Sequence, residues 1–179
     1  MAAQDTATQA KTPLEAKKGV DVILLYRLLK NATKEAAWKM AFQTEHENEL
    51  SRDTDSVDTK DGKIQTLKPV EYDFSATSII AKGDSHVDEI KKALINGDLV
   101  EIWEIDKAEE GTDTNKGKFK ATYFQGYIGS YKATANAEDA LELELEFAIN
   151  GVGQEGYATL SKEQADAVQY VFKDTVKEG

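Results

Sequence analysis

The side chains best suited to chemistry in this 179-residue chain are two histidines, a run of alternating glutamates and a cluster of aspartates. His46 lies in an acidic stretch and His86 at the start of a helical pattern. Neither has a second histidine at the His-x-x-x-His spacing that puts two imidazoles on one helix face for a metal. The chain has no Cys, so thiolate metal sites, Cys nucleophiles and disulfides are excluded. Both histidines therefore read as surface residues. Glu142, Glu144 and Glu146 alternate along one segment. Alternate residues on a strand face lie about 7 Å apart, which is near the separation of glycosidase carboxylates. Three evenly spaced glutamates on a regular strand nevertheless describe a solvated face. The run Asp53-Thr-Asp55-Ser-Val57-Asp58 begins like a calcium loop. It fails because Val57 takes the place of the third ligand and no glycine follows. No nucleophile elbow, phosphate-binding glycine loop or dinucleotide fingerprint occurs. Trp38 and Trp103 read as core residues before sugar platforms. The sequence thus offers no catalytic, cofactor or metal site, and the expectation is a protein that is not an enzyme.

Charge narrows the partners. Acidic residues outnumber basic ones 33 to 22, for a net charge of −11. Nucleic-acid affinity comes largely from Lys and Arg displacing counterions. The densest basic group here is Lys116-Gly-Lys118-Phe-Lys120, so specific DNA binding is not expected. No apolar run approaches the roughly 20 residues of a membrane span. Residues 1–19 lack the apolar stretch of a secretory signal.

The elements follow from periodicity. Residues 1–19 read as a flexible arm and 20–179 as one domain. Val20–Leu29 reads as a buried strand, with a helix fitting almost as well. Ala36–Gln43 alternates, with Trp38, Met40 and Phe42 on one face. Residues 44–62 are polar, with Glu45, Glu47, Glu49, Asp53, Asp55, Asp58 and Asp61 against Arg52 and Lys60. They read as a long functional loop, with a weak hairpin signal at Asp61-Gly62. Residues 64–81 read as paired strands. A helix is expected at about 85–96, capped by Ser85 with Asp88 and stopped at Asn96-Gly97. Strands follow at 99–105, 118–132 and 141–149, the first two joined by a turn at 111–117. Gly126 and Gly129 suggest a bulge or bend. In Leu141–Ile149 the odd positions line a core face and the glutamates a wet one. Ser161 and Gln164 form a second capping box that starts a short C-terminal helix, and 169–176 continues it or leaves as an edge strand. Strands dominate, so the fold class is mainly β: a β-sandwich or barrel with one flanking α-helix.

The segment FQTEHENELSRDTDSVDTKDGKI at 42–64 resembles a signature of major tail proteins from long-tailed phages of Gram-positive hosts. The order of elements and QYVFKDT at 169–175 also resemble that family. The resemblance covers about residues 20–176. It implies a tail tube fold related to type VI secretion tube proteins, and a homo-oligomer of rings, usually hexamers, stacked into a tube. DNA would pass through without specific binding. The other partners would be tape measure, tail terminator and distal tail proteins, with assembly in the host cytoplasm and residence in the virion. The polar loop, with Glu45, Glu47, Arg52, Asp53, Asp55, Asp58, Lys60 and Asp61, would then lie between subunits.

Two further expectations concern assembly. The arm 1–19 or the segment 169–176 would join subunits by β-augmentation. Glu142, Glu144 and Glu146 would either line the lumen or pair with Lys118 and Lys120 on a neighbouring strand. A monomeric carbohydrate- or protein-binding β-sandwich is the alternative to a tube subunit. It would require an exposed aromatic groove.

Overall fold

A computed structural model describes residues 15–161 and Gln164. Among these residues, seven strands and one α-helix occur in the order β1 (Val22–Leu28), β2 (Gln43–Thr59), β3 (Gly62–Ile79), α1 (Ser85–Asn96), β4 (Val100–Glu110), β5 (Phe119–Thr134), β6 (Glu142–Ile149) and β7 (Gln154–Ala158). All pairings are antiparallel. The strands order as β1-β4-β5-β6-β3-β2, and β7 pairs with the first part of β5.

The sheet curls on itself. Tyr26 of β1 stacks on Phe147 of β6 with ring centroids 5.8 Å apart, although β4 and β5 lie between these strands in the sheet. The two ends of the strand order meet through one side chain. The Gln43 amide, at the start of β2, accepts from the Leu24 N–H at 3.0 Å and donates to the Leu24 carbonyl at 2.6 Å. It thereby satisfies two backbone groups of a buried β1 residue that no strand satisfies. The main core gathers Leu24, Tyr26 and Leu28 of β1 with Phe74, Phe124, Leu143, Leu145 and Phe147. The other face of β1 buries Ile23 and Leu25 in a smaller cluster with Ile105 and Ala121. Burial on both faces explains why β1 reads as a continuous apolar run rather than an alternation.

Helix α1 spans the expected residues and contributes Val87, Ile90 and Ala93 to the main core. Its N-cap is Asp84, which accepts from the His86 N–H at 3.0 Å, and not Ser85 as expected; Ser85 is already the first helical residue. Gly97 ends it in the left-handed conformation at φ 68°, as the Asn-Gly stop requires. The His86 ring lies flat on Trp38, centroids 4.1 Å apart.

Three other expectations are corrected. Residues 36–42 form no strand beyond the single bridge Tyr26–Trp38, β2 beginning only at Gln43, and Phe42 leaves the buried Trp38 and Met40 to sit exposed at φ 51°. Residues 64–81 are not a pair of strands: β3 runs unbroken through most of them and pairs with β2. The polar loop 44–62 is itself strand, occupied by β2 and the turn into β3. The bulge at Gly129 is present as a register shift between Ile128 and Ser130. Gly126, at the crossing of β4, β5 and β6, could not carry a Cβ, which would lie 2.4 Å from the Ala148 carbonyl oxygen. The reciprocal bonds between Ser161 and Gln164 expected of a capping box are formed. The helix beyond them, segment 169–176 and most of the arm 1–19 lie outside the described residues.

Candidate functional site

The candidate surface is built on β2 and β3. Only Phe74–Ile79 of β3 pairs with β6, so from Asp73 to the turn β3 is paired with β2 alone. Both strands are exposed from Glu49 to Leu67, and the hairpin projects from the body as an arm. Eleven or so residues at about 3.3 Å each make it roughly 35 Å long. Its turn is Lys60-Asp61, followed by Gly62 at φ 129°, with Thr59 Oγ1 donating to the Gly62 carbonyl. Backbone pairing and the β-branched residues Thr54, Val57, Thr59, Ile64, Thr66 and Val70 favour the extended form here without a core.

Cross-strand partners share a face, so the register assigns every side chain. The face turned away from the core carries Glu45, Glu47, Glu49, Asp53 and Asp55 of β2 and Glu71 and Asp73 of β3. Across β3, Glu146 stands opposite Ser75 and Glu144 opposite Thr77, while Glu47 and Glu45 stand opposite the same two residues. Glu142, Glu144 and Glu146 therefore join the β2 carboxylates in one acidic field, with rows of two glutamates separated by one strand, about 10 Å. The field has few cations. Lys132 bonds Glu144 at 2.6 Å, and that hydrogen bond raises the lysine pKa. Lys68 lies 3.4 Å from Asp55 and 3.9 Å from Asp53.

These contacts decide the expected pairing. Lys118 and Lys120 do not meet the β6 glutamates, because the β6 partners on β5 are residues 126–134, and Lys120 reaches Glu109 instead at 3.5 Å. Arg52 and Asp58 point to the opposite face of the hairpin, where Asp58 lies 3.9 Å from Lys63. Lys60 and Asp61 form the turn. Of the predicted residues, Arg52, Asp53, Asp55, Asp58, Lys60 and Asp61 lie on the arm, divided between its two faces and its turn, whereas Glu45 and Glu47 lie on the body sheet beside the β6 glutamates.

At the root of the arm, Glu104 of β4 holds both His46 Nε2, at 3.2 Å, and Asn48 Nδ2, at 3.1 Å. Nothing in the spacing of these three residues signals this clamp. The other unforeseen network lies on β1, β4 and β5. Arg27 Nε bonds Glu101 at 2.7 Å, Tyr123 OH donates to Glu101 at 2.7 Å, and the guanidinium lies over the Trp103 ring at 5.1 Å. The Glu101 carboxylate raises the Arg27 pKa, so the guanidinium stays charged. A recess of about 1220 Å³ opens beside β1, lined by Val20, Ile23, Trp38, Phe42 and Gln164. Among the described residues no group of three His, Asp or Glu could hold a metal ion, and no helix is long and apolar enough to cross a membrane.

The architecture has close relatives. Residues 16–155 match the family model for phage tail tube proteins. A protein of Staphylococcus phage phiMR25 assigned to the tail is 38% identical over 164 residues, covering 90% of this chain and 84% of the relative. The tail tube protein gp17.1* of Bacillus phage SPP1 is 26% identical over 133 residues; the match covers 74% of this chain and 49% of that longer relative. The solved SPP1 tail tube superposes with a TM-score of 0.66 at 19% identity, covering 90% of this chain and 95% of that one. The tail of a gene transfer agent particle, solved with C6 symmetry, gives 0.58 at 14% identity over 78% of this chain and 98% of that one. The family-model match over residues 16–155 and the phiMR25 relative show that this chain belongs to the phage tail tube protein family.

Proposed function

We propose that this structural subunit of a phage tail tube polymerises as stacked rings of six, with the acidic sheet face turned to the lumen. The observation that carries this is the continuous field of carboxylates on β2, β3 and β6, among them Glu142, Glu144 and Glu146. Such a field cannot be buried unpaired, and it repels phosphates, so DNA slides past it instead of docking. The C6 symmetry of the gene transfer agent tail supports the ring size. The projecting hairpin supports a role between subunits for Arg52, Asp53, Asp55, Asp58, Lys60 and Asp61, and Glu45 and Glu47 at its root continue the acidic face. The role is structural and not catalytic. Assembly takes place in the host cytoplasm, the ends of the tube meet tape measure, terminator and distal tail proteins, and the product resides in the virion.

The test replaces Glu142, Glu144 and Glu146 together by Lys, at positions that are exposed or half-buried. Tubes of the variant should retain short duplex DNA in a salt-sensitive way, while tubes of the unsubstituted chain exclude it. Equal exclusion by intact variant tubes would refute the lumen assignment.

A further inference from the structure

The two faces of the hairpin differ near its root, where one carries carboxylates and the other an apolar ridge. Leu50 pairs with Tyr72, Arg52 with Val70 and Thr54 with Leu67, all on the face that continues the core side of β3. The ridge starts inside the body, where Tyr72 packs edge-on against Phe124 with centroids 5.4 Å apart. It then runs outward over four rungs, about 13 Å, through Leu50, Val70 and Leu67. Leu50 is 59% exposed and Leu67 67% exposed.

Leu67 owes its place to a bulge. Between Arg52–Val70 and Thr54–Leu67 the register slips by one, so Asp53 faces both Lys68 and Pro69. Pro69 has no N–H for the ladder, which makes this the natural site of the slip. Without the extra residue the alternation would send Leu67 to the acidic face and Lys68 to the apolar one. The contacts of Lys68 with Asp53 and Asp55 show the parity that results. The bulge thus keeps Leu67 in line with Val70 and Leu50 while Asp53, Asp55 and Lys68 share the other face; beyond this ridge Val57 and Ile64 fall on the acidic side and the Asp58–Lys63 pair on the ridge side.

We infer that the Leu50–Val70–Leu67 ridge is the surface of the hairpin buried against a second copy of this chain. The inference rests on the reading of the chain as a tube subunit and specifies which face of the arm makes the contact. Three observations select a second copy. The chain belongs to a family of tube-forming proteins. Its copies carry a net charge of −11 each, so contact through two acidic faces is repulsive and contact through the ridge is not. The ridge is continuous with the core, and the arm carries it outward, where among the described residues β2 is the sole strand paired with β3. A contact between an arm of one copy and the body of the next is heterologous, which is the geometry that gives an open stack.

The experiment compares neighbouring positions that receive the same new residue on opposite faces. Leu50→Glu and Leu67→Glu alter the ridge; Ser51→Glu and Thr66→Glu alter the acidic face one residue away. All four sites are exposed, so each subunit should fold, as circular dichroism would verify. Polymerisation of concentrated protein is followed by light scattering and electron microscopy. The ridge variants should raise the threshold concentration for assembly at least tenfold and the acidic-face variants by less than threefold. As a second readout, the chain's lack of Cys permits clean labelling. Leu67→Cys should react with a maleimide at least tenfold more slowly in the polymer than in the free subunit. Assembly of the ridge variants at the unsubstituted threshold, or equal labelling of Leu67→Cys in both states, overturns the inference and leaves the tube reading intact. If the unsubstituted chain forms no polymer at all, the tube reading falls and the inference with it.

Discussion

Excising the hairpin separates its two candidate roles, as part of the fold and as part of the assembly. Replacing Arg52–Val70 by Asn-Gly joins Ser51 to Glu71, which already face each other, through a tight turn suited to a hairpin. The removed span carries Asp53, Asp55, Asp58 and Asp61 against Arg52, Lys60, Lys63 and Lys68, so the net charge remains −11. None of its residues belongs to the buried core. Its large apolar side chains Val57, Ile64 and Leu67 are 54%, 55% and 67% exposed, and Val70 is half-buried. Exposed positions of this kind contribute little to a fold, so the body should change stability by less than about 2 kcal/mol, or roughly 8 °C in Tm. Phe147→Ala provides the yardstick. This ring is 4% exposed and touches Tyr26 and Phe74, and its loss costs about 3–5 kcal/mol. Thermal melts by circular dichroism, with sedimentation of concentrated samples, measure both effects. The excised protein should melt near the full chain and fail to polymerise. A loss as large as that of Phe147→Ala would make the arm part of the fold, and polymerisation at the usual threshold would remove it from the assembly.

Two further outcomes follow from contacts of the body. Gln43→Ala leaves the buried N–H and carbonyl of Leu24 without partners. At about 1–3 kcal/mol for each unsatisfied group, it should destabilise the subunit by about 2–6 kcal/mol and speed amide exchange along β1, measurable by mass spectrometry. The ion pairs of Lys17 with Asp106, at 2.7 Å, and with Glu109 tie the start of the described chain to β4. Burial alone would push the Asp106 carboxyl up, but the Lys17 hydrogen bond, the Ala108 N–H and the charges of Lys17 and Lys120 hold it below its ordinary 3.8. A depressed carboxyl stabilises the fold above its unfolded value and loses that contribution as pH falls through the folded one. Asp106→Asn should therefore lower Tm slightly at pH 5–8, in keeping with about 0.2–1 kcal/mol for a solvent-exposed pair. The gap to the unsubstituted chain should close below pH 3.8; a gap that persists there would refute this account of the pair.

Periodicity was most informative where one face is buried. Leu143, Leu145 and Phe147 are core while the intervening glutamates are wet, and α1 occupies the residues its stripe and Gly97 stop indicate. The arm gives no periodic signal because both of its faces are exposed, so no burial imposes an alternation. Its order comes from backbone pairing, of which Asp61-Gly62 was the one local sign. The capping error at Ser85 has a similar origin, since Asp84 and Ser85 are both good caps and the chain path chooses between them. The acidic field was legible only in part. The alternating glutamates of β6 stand out in the sequence, but their juxtaposition with Glu45 and Glu47 depends on a strand order that brings β6 beside β3. The Glu104 clamp and the Arg27–Glu101–Tyr123 network join residues far apart in sequence, and no spacing rule finds such pairs. The Pro69 bulge could have been suspected from a proline inside a strand pattern, yet its effect on Leu67 requires the register.

The central claim is tested most directly by electron microscopy of the purified, concentrated chain. Hollow tubes of stacked six-fold rings, with the β2–β3–β6 carboxylates turned to the bore, are the predicted result. Monomers that remain dispersed at every concentration, or a tube with this acidic face on its outer wall, would contradict the account.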